Sequence, residues 1–259
     1  MIKRLAIAGL AALVMACSAP AEQKKTMDPA GTYCIRRLLT AENAEGTDTS
    51  IDDNYGSGFV IEQEDDSTLV ATAKHVVTEN ILSPPTGYTI TNIQYFVVDN
   101  ERDKNQKDDV ELKPVSVNGE DVAILRSETP LVGTEPDYCN GRVGGVSYVI
   151  GYPYAMIKAL TRGTISSSPF IFGNTNVMMN DTHVAKGMSG GPAYTITDTG
   201  ACVYGVAVGI THDSLFSLTV PSKHLSDLEK ELLETPDVAK KKFEHAYPNI
   251  ANIESENRR

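Results

Sequence analysis

Basic residues are scarce in this sequence. There are 23 Lys and Arg against 34 Asp and Glu, for a formal net charge of −11 at pH 7. No basic patch is visible, and so acidic a surface repels nucleic acid and anionic lipid head groups. Nucleic acid is therefore not an expected partner. Beyond the N-terminus there is no apolar run of membrane-spanning length and no low-complexity tract. His212, His224 and His245 have no metal-ligand spacing with cysteines or carboxylates, so no metal or cofactor is expected. Cysteines number only 4, and a chain of 259 residues can bury a sufficient core without them.

The N-terminus reads as a targeting segment. Lys3 and Arg4 precede an apolar run from Leu5 to Met15 that is too short for an ordinary span, which marks residues 1–16 as a signal peptide. Val14-Met15-Ala16-Cys17 resembles a bacterial lipobox, with Cys17 becoming the lipidated N-terminus. Plain cleavage after Ala19-Pro20-Ala21 is the alternative. Ser18 after that cysteine resembles the sorting signal for retention at the outer membrane. The expectation is an exported, periplasmic protein whose only membrane association is its N-terminal lipid. Loss of residues 1–16 removes Lys3 and Arg4 and no acid, taking the net charge from −11 to −13. Residues 17–28 are polar and aperiodic, a tether. Cys34, Cys139 and Cys202 then remain in a compartment where disulfides persist, and they allow three single pairings.

Short β-branched and alternating apolar runs separated by Gly, Asn, Asp and Pro recur along the chain. Strands are expected over Thr32–Leu39, Gly58–Glu62, Thr68–Ala73, Ile90–Val98, Glu111–Val117 and Val122–Arg126. A second set covers Val146–Ile150, Leu160–Ser166, Asn176–Met179, Gly191–Thr197, Val203–Thr211 and Phe216–Pro221. The pattern predicts an all-β fold of two six-stranded antiparallel barrels, residues 29–128 and 129–233. Pro130, Gly133, Pro136 and Gly141 mark the connection. The charged run Asp99–Asp109 reads as a solvated hairpin tip. Ser222–Leu233 has helical spacing, with Leu225, Leu228 and Leu232 on one face. Residues 234–259 read as a polar tail.

The motif that carries chemistry is Lys186-Gly187-Met188-Ser189-Gly190-Gly191-Pro192. Glycines around a serine allow a turn whose N–H groups converge on one spot, as acyl transfer requires. A serine hydroxyl needs a base. His75, in Thr72-Ala73-Lys74-His75-Val76-Val77, is the candidate, because imidazole takes and returns a proton near neutrality. Asp121, in Glu120-Asp121-Val122-Ala123-Ile124-Leu125, is the candidate carboxylate. The chain order His, Asp, Ser is that of trypsin-like enzymes, not of subtilisins or α/β-hydrolases. On these motifs, and on Gly56-Ser57-Gly58-Phe59-Val60-Ile61, Gly151-Tyr152-Pro153 and Thr219-Val220-Pro221-Ser222, the chain resembles trypsin-like (chymotrypsin-fold) serine peptidases. It is most similar to the bacterial HtrA-like protease domain, here without a PDZ module. The resemblance runs from about Gly31 to about Leu233.

That resemblance implies a serine endopeptidase acting on proteins or peptides. Ser189 is the nucleophile, His75 the base and Asp121 its orienting partner, and the N–H groups of Gly187 and Ser189 form the oxyanion hole. It implies a pocket for the residue before the cut walled by Ala207, Val208 and Gly209, with His183 near its base. No Asp lies there, so a preference for Lys or Arg is not expected. A Cys34–Cys139 bond would tie the first strand to the connection, as in some relatives; Cys139–Cys202 is an equal alternative. Two positions depart from the family. Met188 stands where digestive enzymes carry an aspartate, so no switch driven by a new N-terminus is expected. Lys74 replaces a small residue and is expected to be exposed. Two rival functions are a catalytically silent peptide-binding module on the same fold and an α/β-hydrolase esterase, since Gly187–Gly191 also fits G-x-S-x-G. The strand pattern Tyr194–Thr197 directly after the motif argues against the esterase. Nothing in the sequence fixes an oligomeric state.

Overall fold

The computed structural model describes residues 31–47, 49–78, 86–98 and 109–247. The expected signal segment at 1–16, Cys17, the expected tether at 17–28 and all but Asp109 of the charged run at 99–109 lie outside the described residues. The first half is a closed barrel of six strands: β1 (Thr32–Asn43), β2 (Thr49–Gln63), β3 (Thr68–Thr72), β4 (Tyr88–Val98), β5 (Val110–Val117) and β6 (Ala123–Ser127), in the order β1-β2-β3-β6-β5-β4. Strand alternation sends Ile35, Arg37, Leu39 and Ala41 of β1 to the buried side. Every residue of β3 is buried. Val70 packs into the barrel core, whereas Leu69 and Ala71 pack outward against Val203, Val206, Val220 and Leu225 of the second half. A strand covered on both faces reads as a continuous apolar run, and Thr68–Thr72 does.

The polar start of β2 did not read as strand. Thr49–Ser57 pairs with Cys34–Glu42 of β1, and cross-strand ion pairs Arg36–Asp53 and Arg37–Asp52, each at 2.9 Å, take the place of apolar contacts there.

The second half is a seven-stranded sheet rather than six strands. It holds β7 (Val146–Gly151), β8 (Ala159–Thr164), β9 (Phe170–Phe172), β10 (Thr175–Asn180), β11 (Pro192–Thr197), β12 (Gly200–Ile210) and β13 (Ser217–Pro221), in the order β8-β7-β11-β12-β13-β10-β9. The sheet curls until its ends meet, through the bridge Ile165–Asn180 and the bonds Asp181 N–H to Thr164 O and Ser166 N–H to Met179 O. The added strand, β9, forms a hairpin with β10 about Gly173, whose φ of +61° is the left-handed conformation that tight hairpins need.

Among the described residues three α-helices complete the fold: α1 (Lys74–Thr78), α2 (Ser222–Glu234) and α3 (Pro236–Ala246). Helix α2 buries Leu225, Leu228 and Leu232, the face expected from its spacing. Residues 248–259 of the polar tail expected from 234 lie outside the described residues; over Pro236–Ala246, helix α3 corrects that reading. Pro236 opens it, Ala239 and Phe243 are buried, and it returns to the first half to pack against β5. Of the two cysteine pairings, Cys139–Cys202 is the bond formed, closing the connection onto β12 across a separation of 63 residues. Cys34 is buried near Val98, Tyr152 and Ala155. Among the described residues no helix is long and apolar enough to cross a membrane.

Candidate active site

His75 lies on α1, a single turn that begins directly after β3. Its neighbours Val76 and Val77 are buried and anchor the turn in the first-barrel core. Asp121 sits in the turn between β5 and β6. Both of its oxygens engage His75: the backbone N–H of His75 donates to Oδ1 at 2.9 Å, and Nδ1 lies 2.7 Å from Oδ2. A carboxylate so placed holds the proton on Nδ1 and leaves Nε2 as the acceptor nitrogen. The imidazole is 33% exposed and the carboxylate 20%.

The turn that carries Asp121 is itself tied down. Lys74 is half-buried, not exposed as expected. Its Nζ donates to the carbonyls of Asn118 and Gly119, both at 3.3 Å. From the second half, Asn176 N–H donates to Glu120 Oε2 at 2.6 Å, and Asn118 Nδ2 donates to the carbonyl of His224 at 3.3 Å. Tyr247, just past α3, is half-buried beside Phe243. Burial, and then the negative charge of Asp121, push its phenol above the usual tyrosine value.

Ser189 occupies a turn that only glycine permits. Gly187 and Gly190 have φ of +92° and +91°. A Cβ on Gly190 would lie 2.0 Å from Ser57 O and 2.8 Å from Ala73 N, and one on Gly187 would lie 2.5 Å from Tyr152 O. The first barrel grips this turn through Ser57. Its N–H donates to Ser189 O at 2.7 Å, its hydroxyl donates to Gly187 O at 2.7 Å, and Tyr152 N–H donates to that hydroxyl at 2.9 Å. From the other side Gly190 N–H donates to Ala207 O at 2.7 Å. Ser57 had no assigned role in the sequence, because its partners lie far along the chain. Gly56 fits between Val76, next to His75, and the carbonyl of Ser189.

The serine turn and the His75 segment are thus packed together at the junction of the halves. Among the described residues no hydrogen bond joins Ser189 Oγ to His75, and the N–H groups of Gly187 and Ser189 have no protein acceptor. Met188 is buried among Val149, Val184 and Ala207.

The four expected pocket residues differ in their surroundings. Ala207 is buried and bonded to the serine turn. Val208 lies at a bulge of β12 and packs against both the first-barrel core and the inter-half cluster. A Cβ on Gly209 would meet nothing within 4 Å. His183 is exposed. Among the described residues no cluster of His, Cys, Asp and Glu could hold a metal ion.

A barrel joined to a curled second sheet, with a His–Asp pair beside a glycine-framed serine at their junction, defines the chymotrypsin-like class of protein. A model of the trypsin-like peptidase domain matches residues 56–206, more than half of the 259. The chain belongs to the trypsin-like peptidase family. No curated protein sequence matches it. Among solved structures, the active form of the Rv3671c protease from M. tuberculosis is 21% identical over 77% of this chain and 80% of its own, at a TM-score of 0.50. Deg5 is 20% identical over 81% of this chain and 90% of its own, at 0.53. A variant of the HtrA-type protease AlgW, solved with a decapeptide, is 15% identical over 80% of this chain and 64% of its own, at 0.56. At these identities the likeness is one of fold.

Proposed function

We propose that the chain is an exported serine endopeptidase that hydrolyses peptide bonds through an acyl-enzyme on Ser189. The observation that carries this reading is the double engagement of His75 by Asp121 beside the serine turn. In the proposed reaction His75 Nε2 takes the proton of Ser189 Oγ as the oxygen attacks the scissile carbonyl. Asp121 holds the Nδ1 proton and offsets the imidazolium charge. The N–H groups of Gly187 and Ser189, without protein acceptors, receive the oxyanion, and one such donor lowers the activation barrier by about 3–4 kcal/mol. Protonated His75 then gives its proton to the leaving amine, the C–N bond breaks, and the acyl group remains on Ser189. Water, deprotonated by the same imidazole, attacks the ester and restores the serine.

The substrate is an extended segment of protein or peptide. The AlgW structure carries a decapeptide, and in this chain a Cβ on Gly209 of β12 would meet nothing within 4 Å. Ala207, Gly209 and His183 border the pocket for the residue before the cut. Met188 supplies no carboxylate for an ion pair with a new N-terminus, so the chain works once its signal segment is removed. Cys17 carries the lipid that holds it at the outer membrane on the periplasmic side. A latent or silent peptide-binding fold is the second reading, favoured by the missing Ser189–His75 hydrogen bond. Such bonds are often long before substrate arrives. Incubation of the chain from Glu22 onward with casein and a peptide library, beside Ser189→Ala, separates the two readings. Cleavage by the parent chain alone is expected; binding without cleavage at neutral pH would leave the second.

A further inference from the structure

Strand alternation sends a charged residue into the first-barrel core. Arg37 points inward from β1 between Ile35 and Leu39, and its side chain is 0% exposed. Burying a guanidinium costs several kcal/mol unless it is paired and hydrogen-bonded. Here it is only partly satisfied. One nitrogen of the fork donates to Asp52 Oδ2 at 2.9 Å, another donates to the carbonyl of Val76 at 3.3 Å, and Nε has no partner. An apolar residue would fill the place at less cost, so stability alone does not account for it.

Directly opposite Arg37 in the β1–β4 register stands Tyr95. It too is buried, 2% exposed, and its hydroxyl donates to the carbonyl of Val77 at 3.0 Å. The two cross-strand neighbours therefore end on consecutive carbonyls of α1, the two that follow His75. A helix of five residues leaves its last four carbonyls without partners inside it, and these two lie in the barrel core. His75 is thus held on both sides, its N–H by Asp121 and the carbonyls after it by Arg37 and Tyr95.

We infer that Arg37 and Tyr95 form an internal clamp that sets the rotation of α1 and so positions the imidazole of His75. They are positioning residues for the base. This rests on the peptidase reading for its effect on rate, but not for its effect on the geometry of His75. A misplacement of about 1 Å at a reacting group can cost about 100-fold in rate, and loss of one of the two holds is the smaller perturbation.

The test compares Tyr95→Phe, Arg37→Met and Arg37→Lys with the parent chain, using a fluorophosphonate probe and the low-field proton resonance of His75 Nδ1–H. Asp121→Asn identifies that resonance by removing it. For Tyr95→Phe, with fold and probe affinity retained, the maximal labelling rate falls about tenfold and the resonance shifts or broadens. Arg37→Met does more, and Arg37→Lys, which keeps the charge but replaces the two-nitrogen fork by a single ammonium, falls between. Thr195→Val loses a comparable hydroxyl bond, to Val146 O at 2.7 Å in the second half, and leaves both readouts unchanged. If Arg37→Met does not fold, Tyr95→Phe decides alone. A folded Tyr95→Phe with parental labelling and an unmoved resonance overturns the clamp. A parent chain that does not label, but whose resonance still moves in Tyr95→Phe, keeps the clamp and removes the peptidase reading.

Discussion

Replacing Cys139 and Cys202 together by serine removes the bond that closes the connection onto β12 across 63 residues. In the chain-entropy picture a loop of that length restricts the unfolded state enough to contribute about 4 kcal/mol. The native state keeps the same join through other bonds. Cys139 N–H donates to Val203 O at 3.0 Å, Val203 N–H donates to Asp137 O at 2.8 Å, and Ser222 Oγ donates to Cys139 O at 2.8 Å. The loss therefore falls mainly on the unfolded ensemble, and the reduced protein remains folded at 25 °C. At about 2–4 °C per kcal/mol for a chain of this size, the melting temperature drops by about 8–16 °C. Urea unfolding followed by far-UV circular dichroism, with and without dithiothreitol, measures the difference directly. The double variant should match the reduced parent, and reductant should not alter the variant. A difference below about 1 kcal/mol would refute the loop-closure account.

Other perturbations test other joints of the fold. Gly190→Ala puts a Cβ 2.0 Å from Ser57 O at a φ of +91°; the serine turn cannot persist, and probe labelling should be lost while the first barrel stays folded by circular dichroism. Phe243→Ala empties a site that is 5% exposed beneath α3 and should cost about 3–5 kcal/mol by denaturant titration; a change under about 1 kcal/mol would mean that α3 is not docked. Burial first, and then Glu64 and Glu135, push the Glu62 carboxyl up, and burial does the same to Glu229, opposed by its bond from Tyr138. A carboxyl raised on folding contributes stability that is fully present below its ordinary value and is lost as pH rises through the raised one. Glu62→Gln should therefore raise the melting temperature at pH 7 and leave it nearly unchanged at pH 4, and equal shifts at both would contradict the assignment.

Most strands of both halves, and the buried face of α2, were legible because each shows its own period in the sequence. What escaped was non-local. The early part of β2 is polar and holds its place by ion pairs to β1, which no local pattern encodes. Helix α3 buries only Ala239 and Phe243, beside Lys240, Lys241 and Lys242, and it packs on β5 in the other half. Three-residue β9 is too short to show a period. The residues of the candidate site stand out in the sequence by type and order: a serine among glycines, a histidine at a strand end and an aspartate in a turn. Their supports do not. Ser57 acts on a carbonyl 130 residues away, and Arg37 looked like any charged residue on a strand until the barrel closed around it. Lys74 was read as a surface residue because nothing in the sequence places the Asn118–Gly119 carbonyls beside it.

The central claim is that Ser189 is a nucleophile activated by His75. It is tested most directly by treating the chain from Glu22 onward with a fluorophosphonate probe between pH 5 and 9 and mapping the adduct by mass spectrometry. A single adduct on Ser189 is expected, absent in Ser189→Ala and nearly absent in His75→Ala. Its rate should fall on the acid side of about pH 6–7, where an imidazole takes up its proton. An adduct elsewhere, labelling that survives His75→Ala, or no labelling of the folded chain at any of these pH values would contradict it.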